Sequence, residues 1–281
     1  MDFNIVFFGS FRHYSVVVLE RLLAVNKSIT VVTTPPSPSG RGLELRPTEV
    51  QIFAEKHDLT VHTPANFDSP ALLLSFSKNP PDFLIASGYG KLLPQAWLEL
   101  PKIMAINMHA SLLPRYPGRF PAEWAILWGE KETGVTLVKM TERFDAGPIL
   151  AQIKTPISDA DTRQTIYDRL YHLGADLLID NLPKIAAGAN KPVPQKIPSD
   201  GIFYARQLTR ADGFIPWDAF NDQLTTNNKE LSRKWCALHP WPGVWTENPE
   251  GKRIKLISLT PPTIQYEGKN PIPWQIQPLR S

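Results

Sequence analysis

Short apolar runs and stretches of helical periodicity alternate through the first half of the chain. Residues 4–9, NIVFFG, are rich in Val, Ile and Phe and close on a glycine, which predicts a buried strand. Residues 16–23 carry apolar positions at helical spacing, and the β-branched run 28–34 predicts a second strand. The same reading gives a helix over 48–57, strands over 82–87 and 104–108, a helix over 122–129 and a strand over 135–140. Strands that alternate with helices predict an α/β fold with a mostly parallel sheet and helices on both faces.

A long helix is predicted over 162–187. Ile166, Leu170, Leu173 and Leu177 recur at i, i+4, i+7 and i+11, one apolar stripe. Asp161 is placed to cap it, with Gln164 three residues on, and Pro183 to kink or end it. The texture then changes. Residues 188–205 are rich in Pro, Lys and small residues and predict a linker. Beyond it Trp and Pro are frequent, with β-like runs at 252–259 and 263–266. The organisation expected is a catalytic body over 1–187, a linker over 188–205 and a small, mostly β domain over 206–281.

Composition narrows the functional classes. Of 281 residues, 42% are hydrophobic and 20% charged, a globular balance. The single cysteine, Cys236, excludes an internal disulfide and fits a reducing compartment. No run reaches the ~18 apolar residues of a spanning helix. The start, MDFNIVFFGSF, lacks a basic segment, so no signal peptide is expected and a cytoplasmic location is. Charge is uneven. Residues 184–281 hold 13 Lys and Arg against 8 Asp and Glu, net +5, and the remaining 17 and 19 leave residues 1–183 at −2. That split suits a polyanion touching the tail, and equally a solvated surface.

Three polar residues carry candidate chemistry. Asn107 and His109 stand in INMHAS at the end of an apolar run, and strand alternation puts positions 107 and 109 on one side. Asp145 stands in FDAGP after the next predicted strand. Ligands of parallel α/β sheets collect beyond the carboxyl ends of strands, so the three can converge. The trio suits acyl transfer to an amine: Asn and a protonated His donate to a developing oxyanion, and a carboxylate holds the His charged and helps remove the amine proton. Each residue alone also has an ordinary role as a strand-end, turn or surface group. No G-x-G-x-x-G, Walker A, H-E-x-x-H, paired-cysteine or G-x-S-x-G pattern occurs, and no metal is expected. Trp217, Trp235, Trp241, Trp245 and Trp274 can stack bases or, for most of them, pack the small domain.

The run 103–150 contains N-x-H-x-S-L-L-P, then T-G-V-T, then D-x-G-P-I-L. It resembles the folate-dependent formyltransferases. The likeness extends to SGYGKLLP at 87–94, SGRGLELRP at 39–47 and HPWPGVWT at 239–246, and so covers nearly the whole chain. The resemblance implies a Rossmann-like catalytic domain and a small, shortened OB-like module that helps hold tRNA. It implies Asn107, His109 and Asp145 as catalytic residues, and 10-formyltetrahydrofolate as formyl donor. The donor would be held by Ser111, Leu112, Leu113 and Pro114, and by Tyr89, Gly90, Lys91, Leu92 and Leu93. It implies initiator methionyl-tRNA as acceptor, touched by Arg41 and Arg46, and a monomeric enzyme without a membrane partner. The chain departs from the family pattern in three places. Gly9–Tyr14 lacks the usual proline, Pro117 stands where Arg is expected, and Leu43 and Glu44 replace two lysines. Two other readings remain: a formyltransferase acting on an amino-sugar nucleotide, and a catalytically silent RNA- or folate-binding module.

Overall fold

A computed structural model describes every residue except 1, 40–42, 198, 200, 202, 227 and 276–281. Ahead of the long helix the strands are β1 (Ile5–Gly9), β2 (Ile29–Val32), β3 (Ser37–Ser39), β4 (Glu44–Arg46) and β5 (Val61–His62). They continue as β6 (Phe83–Ser87), β7 (Met104–His109), β8 (Glu132–Lys139) and β9 (Ile149–Pro156). Among the described residues one seven-stranded sheet has the order β5-β2-β1-β6-β7-β8-β9, while β3 and β4 pair with each other. Pairing is parallel from β5 to β7 and turns antiparallel at β7–β8. All residues of β1 and β6 are buried, as strands covered on both faces require.

The strand order reverses between β1 and β6, and the crevice this opens lies at the strands' carboxyl ends. Ser10, just past β1, ties the two exits together: its Oγ donates to the carbonyls of Gly88 (3.2 Å) and Tyr89 (3.1 Å). β7, which carries Asn107 and His109, pairs along the other edge of β6, with Asn107 beside Ala86.

The long helix forms as Arg163–Ala186, with three differences from the sequence reading. Its start is capped by a reciprocal pair of threonines, Thr165 N donating to Thr162 Oγ1 (3.3 Å) and Thr162 N to Thr165 Oγ1 (3.0 Å). Asp161 instead accepts from Ser158 N and Ser158 Oγ, and from Thr165 Oγ1. Pro183 does not end the helix, which runs on to Ala186. Finally, the buried line runs through Ile166, Leu170, Leu178 and Leu182, with Leu173 and Leu177 only half-buried. At 3.6 residues per turn, position 174 fills the gap in that line, and there a Cβ would press into the Met108 side chain. Glycine at 174 lets the helix lie directly over β7.

Residues group into two compact units: 1–119, 133–155 and 167–204 in the first, and 120–132, 156–166 and 205–281 in the second. Within the first, Val193 pairs with Ile149 through two backbone hydrogen bonds of 2.8 Å, so the stretch read as linker is attached to β9. In the second, the strands are β10 (Trp245–Glu247), β11 (Arg253–Leu259), β12 (Pro262–Tyr266) and β13 (Ile272–Pro273). They form one antiparallel sheet, β10-β11-β12-β13. The helices Trp217–Thr225 and Lys229–Leu238 close a core of Phe220, Leu231, Val244, Ile254 and Leu256, against which Trp217, Trp235 and Trp274 pack. The helix Pro121–Leu127, expected in the first body, packs on Lys229–Leu238 instead.

Candidate active site

The end of β7 and the connection from β8 to β9 bring the three polar residues together. Asn107 Nδ2 donates to Asp145 Oδ1 at 3.0 Å. His109 Nδ1 lies 3.4 Å from that oxygen, and both side chains are almost fully buried, 7% and 6% exposed. Asp145 Oδ2 accepts the backbone N–H of Gly118 at 2.8 Å. His109 Nε2 meets the carbonyl of Tyr116 at 2.9 Å. A carbonyl only accepts, so Nε2 carries a proton, and a second proton on Nδ1 would face the carboxylate. Chemically the arrangement is a polarised donor set. Asn107 keeps a second amide N–H, His109 is a proton carrier, and Asp145 anchors both.

The loops that hold this set are bent into uncommon backbone shapes. Asp145 sits at φ +53 and Tyr116 at φ +57, left-handed conformations that non-glycine residues seldom adopt. At Gly147 a Cβ would collide with the Lys139 carbonyl, which fixes how closely the turn approaches β8. Gln195 Nε2 donates to the carbonyls of Asp145 (2.7 Å) and Gly147 (2.8 Å). The Tyr116 ring is itself held edge-on by Phe203, with centroids 5.7 Å apart.

The stretch 111–114 is organised around Thr136, fully buried on β8. Thr136 Oγ1 donates to the Ser111 carbonyl (2.6 Å) and accepts from Leu113 N (3.1 Å) and Gln152 Nε2 (2.8 Å). Gln152 also donates to the Leu113 carbonyl (2.7 Å), and Ser111 Oγ to the Arg115 carbonyl (2.7 Å). Leu113 is buried, while Leu112 and Pro114 are half-buried. Glycine is required at position 134 of β8, because a Cβ there would strike the Ile153 carbonyl and the Leu112 side chain.

The stretch 89–93 divides. Tyr89 and Leu93 enter the core beside Phe8 and Trp97. The Tyr89 hydroxyl is buried without a hydrogen-bond partner among the described residues, and burial pushes its pKa up to about 12. Gly90 sits at φ +74 with open space where a side chain would be. Lys91 Nζ donates to the Ala65 carbonyl (2.7 Å), and Leu92 is exposed. Arg46 is exposed on β4, 3.3 Å from Glu44. Arg41 lies outside the described residues. No group of three or more His, Cys, Asp or Glu side chains that could hold a metal ion occurs among the described residues.

The sequence pattern singles out the trio but not the groups that hold it, Gly118 N, the Tyr116 carbonyl and Gln195, nor Gln152, which holds the 111–114 stretch. Thr136 was within reach, as the second threonine of T-G-V-T. The two glutamines had no signal, since one lies on an edge strand and the other in a Pro- and Lys-rich stretch.

A family model described as formyl transferase matches residues 3–182. A methionyl-tRNA formyltransferase from Halorhodospira halophila is 38% identical over 86% of this chain and 75% of its own length. A sugar N-formyltransferase from Shewanella sp. FDAARGOS_354 shares the fold, with TM-score 0.65 at 18% identity over 90% of this chain and 96% of that one. So does an N-formyltransferase from Helicobacter canadensis bound to folinic acid and dTDP-3-aminofucose, with TM-score 0.63 at 19% identity over 91% and 88%.

Proposed function

The chain belongs to the formyl transferase family, and from that premise we propose that it moves the formyl group of 10-formyltetrahydrofolate to the free amino group of initiator methionyl-tRNA. The observation that carries this reading is the convergence of Asn107 and His109 on Asp145. The amine nitrogen attacks the formyl carbon, and negative charge gathers on the formyl oxygen. Asn107 N–H and protonated His109 donate to that oxygen. His109 Nε2 does so by exchanging the Tyr116 carbonyl for it. Asp145 stabilises the imidazolium and accepts or relays the amine proton. The tetrahedral intermediate collapses with cleavage of the bond to folate N10, which leaves with a proton as tetrahydrofolate. No covalent enzyme intermediate is needed.

The donor fits the residues available. Gly90 leaves open space, and Tyr89 offers a buried hydroxyl without a partner among the described residues. The stretch 111–114 is held rigid by Thr136 and Gln152. Tyr89–Leu93 and Ser111–Pro114 would line the pterin and its tail. For the acceptor, the 38% identity to a methionyl-tRNA enzyme and the net +5 of residues 184–281 support tRNA. Arg46, and Arg41 with it, would meet phosphate.

A second reading keeps the chemistry and changes the acceptor. Leu43 and Glu44 stand where lysines are expected, which favours an amino-sugar nucleotide. Transfer of formyl from 10-formyltetrahydrofolate, measured side by side to charged initiator tRNA and to a nucleotide-linked amino sugar, decides between them. Transfer to the sugar alone overturns the tRNA reading, and transfer to neither overturns both.

A further inference from the structure

Gln195 lies in a stretch whose composition reads as linker, yet its side chain ends on the loop that carries Asp145. Its Nε2 donates to the Asp145 carbonyl at 2.7 Å and the Gly147 carbonyl at 2.8 Å. Both partners accept only, so the amide orientation is fixed by chemistry, and both of its N–H groups are used. Two residues earlier, Val193 exchanges backbone hydrogen bonds with Ile149. The segment is therefore joined to the loop's exit by backbone and to its centre by a side chain.

The loop needs that support. Asp145 holds a left-handed backbone at φ +53, a conformation that persists only where its surroundings impose it. From it, one carboxylate must face Asn107 Nδ2, His109 Nδ1 and Gly118 N together. Gly147 packs against the Lys139 carbonyl with no room for a Cβ. Gln195 bridges the carbonyls at both ends of the turn, 145 and 147.

We propose that Gln195 is a positioning residue for formyl transfer. It touches no reacting atom and acts through Asp145, by fixing the backbone of residues 145–147. The inference rests on the transfer reading above. Misplacement of a catalytic group by about 1 Å is enough to cost on the order of 10²-fold in rate.

The test uses the full chain with Gln195→Ala and Gln195→Glu, each made alone and combined with Asp145→Asn. Formyl transfer is followed to charged initiator tRNA and, in parallel, to a nucleotide-linked amino sugar. Gln195→Ala should lower kcat about 10-fold or more and leave KM for the donor within about 3-fold. Gln195→Glu, nearly isosteric but facing two carbonyl oxygens with a carboxylate, should lower it further. In the Asp145→Asn background the same changes should alter kcat by less than about 2-fold, since residues acting through one another are non-additive. Equal losses in both backgrounds, a loss confined to donor KM, or wild-type kcat in both single variants would overturn the proposal. Amide hydrogen exchange supplies a readout independent of chemistry. Residues 144–149 should exchange faster in Gln195→Ala while protection elsewhere, which reports folding, stays as in the wild type. Unchanged exchange there overturns the proposal whatever the acceptor. If the wild-type chain formylates neither acceptor, the transfer reading fails, and the exchange result alone then judges Gln195.

Discussion

Nδ1 of His109 lies 3.4 Å from Oδ1 of Asp145, and the same oxygen takes an amide proton from Asn107 at 3.0 Å. One carboxylate thus orients both groups that would meet a developing oxyanion. With its other oxygen on Gly118 N, it has little freedom of its own. The role proposed for Asp145 requires a carboxylate held in this way.

His109→Ala and Asn107→Ala should each lower turnover on the order of 10²-fold or more, by removing an oxyanion donor. Steady-state formylation by the purified, folded variants measures this. Wild-type-like turnover in either would remove that residue from the mechanism.

Asp145→Asn should slow the chemical step and leave donor binding nearly intact. The amide keeps one acceptor but turns an N–H₂ toward either Gly118 N or the Asn107–His109 side. Single-turnover rates set beside donor titration separate the two effects. A variant that loses donor affinity but keeps its single-turnover rate contradicts a charge-holding role for Asp145.

His239 supplies a pH dependence in the second unit. Burial first, then the charges of Lys255 and Arg163, lowers its pKa below 6.5. The unfolded chain then binds more protons than the folded one as pH drops below 6.5. Above that pH His239 is neutral in both states and contributes nothing. Below it, stability is lost progressively toward the folded-state value. Thermal midpoints measured from about pH 7.5 to about pH 5.5 should therefore fall on the acid side, and His239→Gln should flatten the fall. An identical slope in the variant would assign the acid sensitivity elsewhere.

Binding of tRNA should weaken with salt. An interface with a few phosphate contacts gives a log–log slope of roughly −2 to −5. Lys252, Arg253 and Lys269 are exposed in the second unit. Changing all three to Gln should reduce the slope by up to about 2 units, and Arg46→Ala by at most about one. Substitution is cleaner than deletion of the tail, because residues 120–132 and 156–166 group with 205–281 and would lose their packing. A slope unaffected by the triple change would move the phosphate contacts off this surface.

By itself the sequence determined the parts whose physics is local. The apolar runs specified β1, β6 and β7 almost residue for residue, because a strand covered on both faces must be apolar along its length. Alternation placed Asn107 and His109 on one side, and the motif run 103–150 identified the chemistry. Tertiary structure decided what depends on approach between distant segments. The long helix turned its buried line through Gly174 because β7 comes too near for a side chain there. Its cap passed from Asp161 to Thr162 because Asp161 was already engaged by Ser158 and Thr165. The helix Pro121–Leu127 joined the second unit because the surface that buries it, Lys229–Leu238, lies about a hundred residues later. Gln195 found the Asp145 loop for the same reason. Periodicity and propensity record what a residue prefers near its neighbours in the chain, whereas a hydrogen bond across 50 residues exists only once the fold has closed that distance.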